Sequence, residues 1–319
     1  MITGVSYMGH HNPRYLAADF AAMRTLGLDD VFVCLQENDF RHFTGKVNFA
    51  PDLARRAGIR PLALFWGALN LFGGGRSSQF LLENSDCFQR DREGNLLAAG
   101  CYVNPKCVAY IESLITLCAD VGYAGYFVDE PVPLNCYCPA CLEQFASLMG
   151  GDLRQAAPAD EQHFRHHCVI TYIKTIADYC KSYQPALETF CCLMPSEQAM
   201  WAEASALASL DNIGTDIYWG NNDRDVREMR PLLAEMEEHA RAHHKRHHEW
   251  LHGWGIRAGR EPRIIEMGDE LIRARPDALY VWAWEAQIGT YESCDDPMRA
   301  WAAAVEVIRR AQRSAEEAA

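Results

Sequence analysis

The sequence predicts a single (β/α)8 barrel of the TIM type, and three observations carry that prediction. The chain has 319 residues, a normal length for an α/β barrel with loop insertions. Eight short, β-rich apolar runs alternate with amphipathic helical stretches. The runs are apolar almost throughout, as parallel strands covered on both faces must be.

In chain order the strands are expected at 3–8, 30–36, 61–67, 125–130, 187–194, 213–219, 248–254 and 279–285. Helical periodicity falls at 15–26, with Pro13 near its start, then at 106–121, 164–183, 225–243, 262–274 and 297–313. Helices between strands imply right-handed crossovers and a parallel sheet, and eight units favour closure. The intervals from strand 3 to strand 4 and from strand 4 to strand 5 each take about sixty residues, against roughly thirty for a minimal unit. The first excess holds Gly73-Gly74-Gly75 and a turn at 91–95; the second holds three cysteines and a loop at 150–159. Extended loops after strands 3 and 4 lie on the face that builds active sites in such barrels. No internal repeat or linker divides the chain, so 1–319 reads as one domain. The Glu- and Ala-rich tail after Arg313 is expected to fray.

The net charge of −13 repels nucleic acid and anionic membrane, and neither is expected as a partner. A homo-oligomer is left open. The histidines between His239 and His248 read as the solvated end of a helix, with a metal tract as the other reading. No stretch approaches the ~18 apolar residues of a membrane span. The N-terminus lacks the charged start and apolar run of a signal peptide, so a cytoplasmic location is expected. Thirteen cysteines then read as reduced thiols rather than a disulfide framework.

Chemistry in a barrel sits at the C-terminal ends of the strands. Reading those ends gives Tyr7, His10 and His11; Gln36, Glu37 and Asp39; Trp66; Asp129 and Glu130; Met194 and Glu197; Asp216, Tyr218 and Trp219; His252 and Trp254; Trp282, Trp284 and Glu285. Carboxylates and aromatics dominate. Glycoside cleavage needs two carboxyl groups about an oxocarbenium-like centre, and aromatic faces suit the sugar. Asp129-Glu130-Pro131 is the first catalytic candidate, because a buried charge is costly unless used or paired. Alternation along a strand lets only one of the two acids face the barrel mouth without a bulge; the competing role is capping of the next loop. Asp216 and Glu285 are the second and third candidates. His10, His11, Gln36, Glu37, Trp66, Tyr218, Trp219, His252, Trp254 and Trp284 are the expected substrate contacts. His10-His11 is not the spaced pair of metal-dependent amidohydrolases.

Cys136, Cys138 and Cys141 place three thiols in six residues, and these can converge on one tetrahedral ion. Cys101 is the first choice for a fourth ligand and Cys107 the second. Four thiolates leave no open position, so the expected zinc is structural. The alternative is three free thiols in a loop. The remaining cysteines read as small buried hydrophobes.

These residues together resemble glycoside hydrolase family 42 and its relatives. The resemblance rests on Gly4-Val5-Ser6-Tyr7 with the segment 19–27, on Asp91-Arg92-Glu93-Gly94, on Cys101-Tyr102-Val103-Asn104-Pro105, on 125–131, and on Trp282-Ala283-Trp284. It implies a barrel glycosidase in which Glu130 is the general acid/base and Asp129 stands where the family has a sugar-binding Asn. It also implies that Cys101, Cys136, Cys138 and Cys141 match that family's zinc cluster. The departure is at strand 7, where the nucleophilic Glu of that clan is replaced by His252 or Gly253; Glu249 comes too early to reach the mouth. A barrel without that family's accessory domains is expected. Asp216 or Glu285 is then the expected partner of Glu130. Two other functions remain: a carbohydrate-binding barrel that has lost activity, and a sugar isomerase or lyase using His252 and Asp216.

Overall fold

The computed structural model describes residues 1–71 and 78–318; Gly73-Gly74-Gly75 lies outside the described residues. Eight parallel strands close a barrel: β1 (Ile2–Tyr7), β2 (Asp30–Leu35), β3 (Arg60–Phe65), β4 (Gly125–Val128), β5 (Glu188–Cys192), β6 (Asn212–Asp216), β7 (Arg246–His252) and β8 (Ala278–Trp282). Their order around the ring is β1-β8-β7-β6-β5-β4-β3-β2, so β4 and β8 stand on opposite sides of the mouth. Every strand expected from sequence is present.

The helices that follow the strands include Pro13–Thr25, Pro105–Val121, Pro158–Tyr183, Met229–Ala242, Pro262–Ala274 and Pro297–Ala318. Asn12 and Asn104 cap the first two, each followed by a proline whose fixed φ suits a first turn. Three features depart from the sequence reading. Helix Gly45–Arg56 carries Pro51 in its interior. The turn at 91–95 joins an antiparallel hairpin, Phe88–Arg90 with Leu96–Gly100. The C-terminal helix runs on to Ala318 instead of fraying after Arg313. No helix among the described residues is long and apolar enough to cross a membrane.

Inward side chains fill the barrel in layers. Phe32 sits at the centre, with the rings of Phe127, Phe190, Trp250 and Tyr280 4.7 to 5.4 Å away. Tilted and edge-on pairs of this kind add to the area they bury. Below this plug, at the N-terminal end, Asp30 binds Arg60 through Nε at 2.8 Å and Nη2 at 2.6 Å, and accepts from the Tyr280 hydroxyl at 3.0 Å. Glu188 pairs with both Arg60 and Arg246. Asp30 is 2% exposed and Arg60 30%. Asp30→Ala therefore strands two donors and is expected to cost about 2–3 kcal/mol, slightly less than breaking a fully buried pair. Urea unfolding measures it, with no change expected at the opposite face.

The histidine-rich segment divides in two. His243 and His244 are exposed at the helix end, whereas His247 and His248 are buried in β7. His248 lies among Phe127, Phe190 and Tyr280, and burial lowers its pKa to about 3. His247 faces the helices, its Nε2 2.5 Å from Glu249. Glu249 is thus consumed in a buried pair outside the barrel and does not reach the mouth.

Candidate active site

The C-terminal mouth holds a cleft of about 120 Å³ lined by Trp66, Asp129, Glu130, Tyr218, Trp254, Trp282 and Glu292. Phe127 points inward and Val128 outward, so Asp129 points inward and Glu130 should turn away. Glu130 instead adopts φ 39°, in the left-handed region that non-glycine residues rarely occupy. This single backbone rotation brings both acids to the cleft. Such strain persists only where surrounding structure enforces it, and it clusters at functional sites.

Asp216, at the end of β6, is 4% exposed and hydrogen-bonded to Glu130. Burial, then the Glu130 charge, holds its carboxyl well above the ordinary range. Asp129 is raised by burial, then by Glu130 and Glu292. Burial and mutual repulsion thus make Asp129 and Asp216 hold their protons more tightly than free carboxyls do. Among the described residues, neither Asp216 Oδ1 nor Trp254 Nε1 has a hydrogen-bond partner, although buried polar groups usually have one. Tyr218 packs 5.0 Å from His252 and 5.9 Å from Trp254. His252 is 4% exposed, its Nδ1 accepts from the Gly220 N–H at 3.0 Å, and burial lowers its pKa to about 4. It supports the aromatic wall and does not line the cleft.

The raised Asp216 pKa has a consequence for stability. A carboxyl that binds its proton more tightly when folded stabilises the fold below the unfolded value of 3.8, and loses that contribution as pH rises towards the folded value. Asp216→Asn removes the titration while keeping the shape. Its Tm is expected to exceed that of the unmodified protein at pH 8, with the gap closing towards pH 4; thermal melts across that range measure it.

Several expected contacts lie elsewhere. Glu285 is exposed and lines a separate groove with His10, Asp19 and Trp284. Glu285, Ala286 and Gln287 are three consecutive left-handed residues, with φ 50°, 54° and 61°. That turn swings Glu285 and Trp284 off the end of β8, and Trp284 packs against Trp301 at 5.0 Å. Trp282 takes the place in the cleft that the sequence reading gave to Trp284. Trp219 is buried under the Arg224 guanidinium, 3.9 Å from its ring. His11 pairs with Asp39 at 3.0 Å, and the Gln36 N–H donates to the same Asp39 at 2.7 Å. Glu37 accepts from the Leu69 N–H (2.9 Å), the Ser78 hydroxyl (2.5 Å) and the Phe80 N–H (3.2 Å), which spends its carboxylate on the loop after β3. Glu292, which sequence reasoning missed, belongs to the cleft.

Cys101, Cys136, Cys138 and Cys141 converge, with all four Sγ atoms within 4.8 Å of one another. Cys101 and Cys141 are 3.5 Å apart and Cys138 and Cys141 3.7 Å, far beyond a disulfide bond and near the roughly 3.8 Å edge of a tetrahedron built on ~2.3 Å metal–sulfur bonds. The four buried thiols could hold a metal ion. Cys107, the second choice, turns instead to the Cys87 carbonyl at 3.6 Å. All thirteen cysteines are unpaired and buried. The cluster ties the hairpin end to the loop after β4, and the Tyr102 hydroxyl donates to the Val132 carbonyl beside Pro131.

A closed parallel eight-stranded barrel is a fold found among solved glycosidases. The β-galactosidase of the Antarctic haloarchaeon Halorubrum lacusprofundi superposes with a TM-score of 0.73 at 15% identity, over 98% of this chain and 58% of that one. A family 42 β-galactosidase from G. stearothermophilus gives 0.73 at 13% identity, over 98% and 57%. A GH5_18 enzyme from Streptomyces cattleya, solved with Manβ1-4GlcNAc, gives 0.61 at 14% identity, over 97% and 80%. The chain spans a little under three fifths of the length of these β-galactosidases, and the likeness is one of fold. No protein-family profile and no curated protein sequence matches it.

Proposed function

We propose that the chain is a glycoside hydrolase that cleaves an O-glycosidic bond in the cleft at the barrel mouth. The observation that carries this reading is Glu130, turned by its left-handed φ into a cleft walled by Trp66, Tyr218, Trp254 and Trp282. Aromatic faces stack on sugar rings, and the carboxyl protonates the leaving oxygen. Asp216 shares a hydrogen bond with Glu130, and burial and the Glu130 charge raise its own carboxyl above the ordinary range. The same hydrogen bond argues against Asp216 as the opposing carboxylate, because glycosidases hold that pair about 5 Å or more apart, with the sugar between. Glu285 faces another groove. Proton transfer by His252, as an isomerase or lyase would use it, fits poorly with a ring buried behind Tyr218 and Trp254.

The cysteine cluster is proposed to hold one structural zinc. Cys101, Cys136, Cys138 and Cys141 would ligate it, and the ion would supply cross-linking only, since four thiolates fill its coordination sphere. A panel of 4-nitrophenyl glycosides tests the enzymatic reading: turnover of at least one member is expected, and complete inactivity together with oligosaccharide binding would make the barrel a carbohydrate-binding module.

A further inference from the structure

Glu292 is reached by an unusual path. After β8 the chain makes the left-handed turn at Glu285, Ala286 and Gln287, and Gly289 follows at φ 80°. Left-handed geometry costs an ordinary residue about 1–2 kcal/mol, so three in succession form a shape the fold enforces. The turn sends Glu285 away from the barrel axis and returns Glu292 over the mouth, where it lines the same cleft as Asp129 and Glu130. Tyr291 stacks on Trp66 at 6.2 Å, holding the returning loop against β3. The Gln287 side chain reaches Glu292 at 3.4 Å.

Ring order gives this arrangement its meaning. The Gly255 N–H donates to the Glu292 carbonyl at 2.7 Å, so Glu292 enters the cleft over the end of β7, three strands round the ring from Glu130 on β4. Glu292, Asp129 and Glu130 line one cleft of about 120 Å³, which puts the three carboxyls around a single small space. The end of β7 offers His252 and Gly253, with no carboxylate.

Accepting that the cleft cleaves glycosides, we infer that Glu292 is the nucleophilic carboxylate opposing Glu130. A Glu292 oxygen bonds to the anomeric carbon as the glycosidic C–O bond breaks. The departing oxygen keeps the electron pair of that bond and takes the Glu130 proton. Water then displaces Glu292, its proton passing to Glu130 and its hydroxyl remaining on the sugar. Both carboxyls return to their starting states, and the anomeric configuration is retained.

The test uses the 2,4-dinitrophenyl glycoside that the unmodified protein cleaves fastest, with sodium azide as external nucleophile. Glu292→Gly is expected to lose about a thousandfold or more in kcat, as removal of an activated nucleophile does. Azide should restore at least about tenfold of this and yield a glycosyl azide of configuration opposite to the substrate. That recovery also shows that the variant is folded. Glu292→Gly turning over within about threefold of the unmodified protein overturns the inference. So does net inversion by the unmodified protein, since displacement by a carboxylate followed by displacement by water retains configuration overall. If Glu130→Gln loses activity while Glu292→Gly keeps it, the glycosidase reading stands and this inference falls. If the unmodified protein cleaves no glycoside, both fall.

Discussion

Glu130→Gln is expected to lower kcat about 10²–10⁴-fold on glycosides whose leaving group is another sugar, the usual contribution of a positioned general acid. Glutamine keeps the size and the hydrogen bond to Asp216 but has no proton of suitable acidity to give. Dinitrophenol departs without help, so the loss on a 2,4-dinitrophenyl glycoside should be much smaller at the bond-breaking step. Comparing the two leaving groups separates proton donation from misfolding, which would depress both alike. The pH profile should change with it. In the unmodified protein, activity should fall on the alkaline side as Asp216, raised by burial and by the Glu130 charge, gives up its proton, and Asp216→Asn should move that limb.

Cys138→Ser is expected to have the largest effect on stability. Its sulfur lies 3.7 Å from Cys141 in a buried cluster with Cys101 and Cys136. A serine hydroxyl is a poor substitute for thiolate, and three buried thiols would remain without an ion to bind. Zinc content should fall from close to one per chain to near zero. The expected stability loss is about 4 kcal/mol or more, in the range reserved for loss of a metal or disulfide. Activity should fall as well, because the cluster anchors the loop that follows Asp129-Glu130-Pro131. Elemental analysis of protein purified without added metal, paired with thermal melts, gives both readings. Folded, unmodified protein that contains no metal would remove the zinc proposal and leave the glycosidase reading untouched.

The barrel was legible because its signal is repetitive. Eight apolar runs at helical intervals survive an error in any one of them, and the strand ends fell within a few residues of their expected places. Gly45–Arg56 was missed because Pro51 reads as a helix breaker. The cysteine cluster was readable from spacing, since Cys136, Cys138 and Cys141 lie close in sequence and only Cys101 had to be brought in. The cleft was half legible. Asp129, Glu130, Trp66, Tyr218 and Trp254 stand at strand ends, where chemistry is expected. Trp282 and Trp284 could not be separated by pattern, because an apolar run ending in a turn does not say which residue faces the mouth. Glu285-Ala286-Gln287 has the composition of an ordinary helix, so nothing in it announces a left-handed turn. Glu292 followed from that turn and was invisible for the same reason. Glu37 looked available because pattern cannot show that Leu69, Ser78 and Phe80 claim its carboxylate.

The central claim is that Glu130, at the mouth of this barrel, drives hydrolysis of a glycosidic bond. Turnover in ¹⁸O-labelled water tests it most directly, with the unmodified protein and Glu130→Gln run side by side on an oligosaccharide substrate. The account predicts one solvent oxygen at the anomeric carbon of the released sugar, and loss of that product in the variant. Product formed without solvent oxygen, or labelled equally fast by Glu130→Gln, would contradict it.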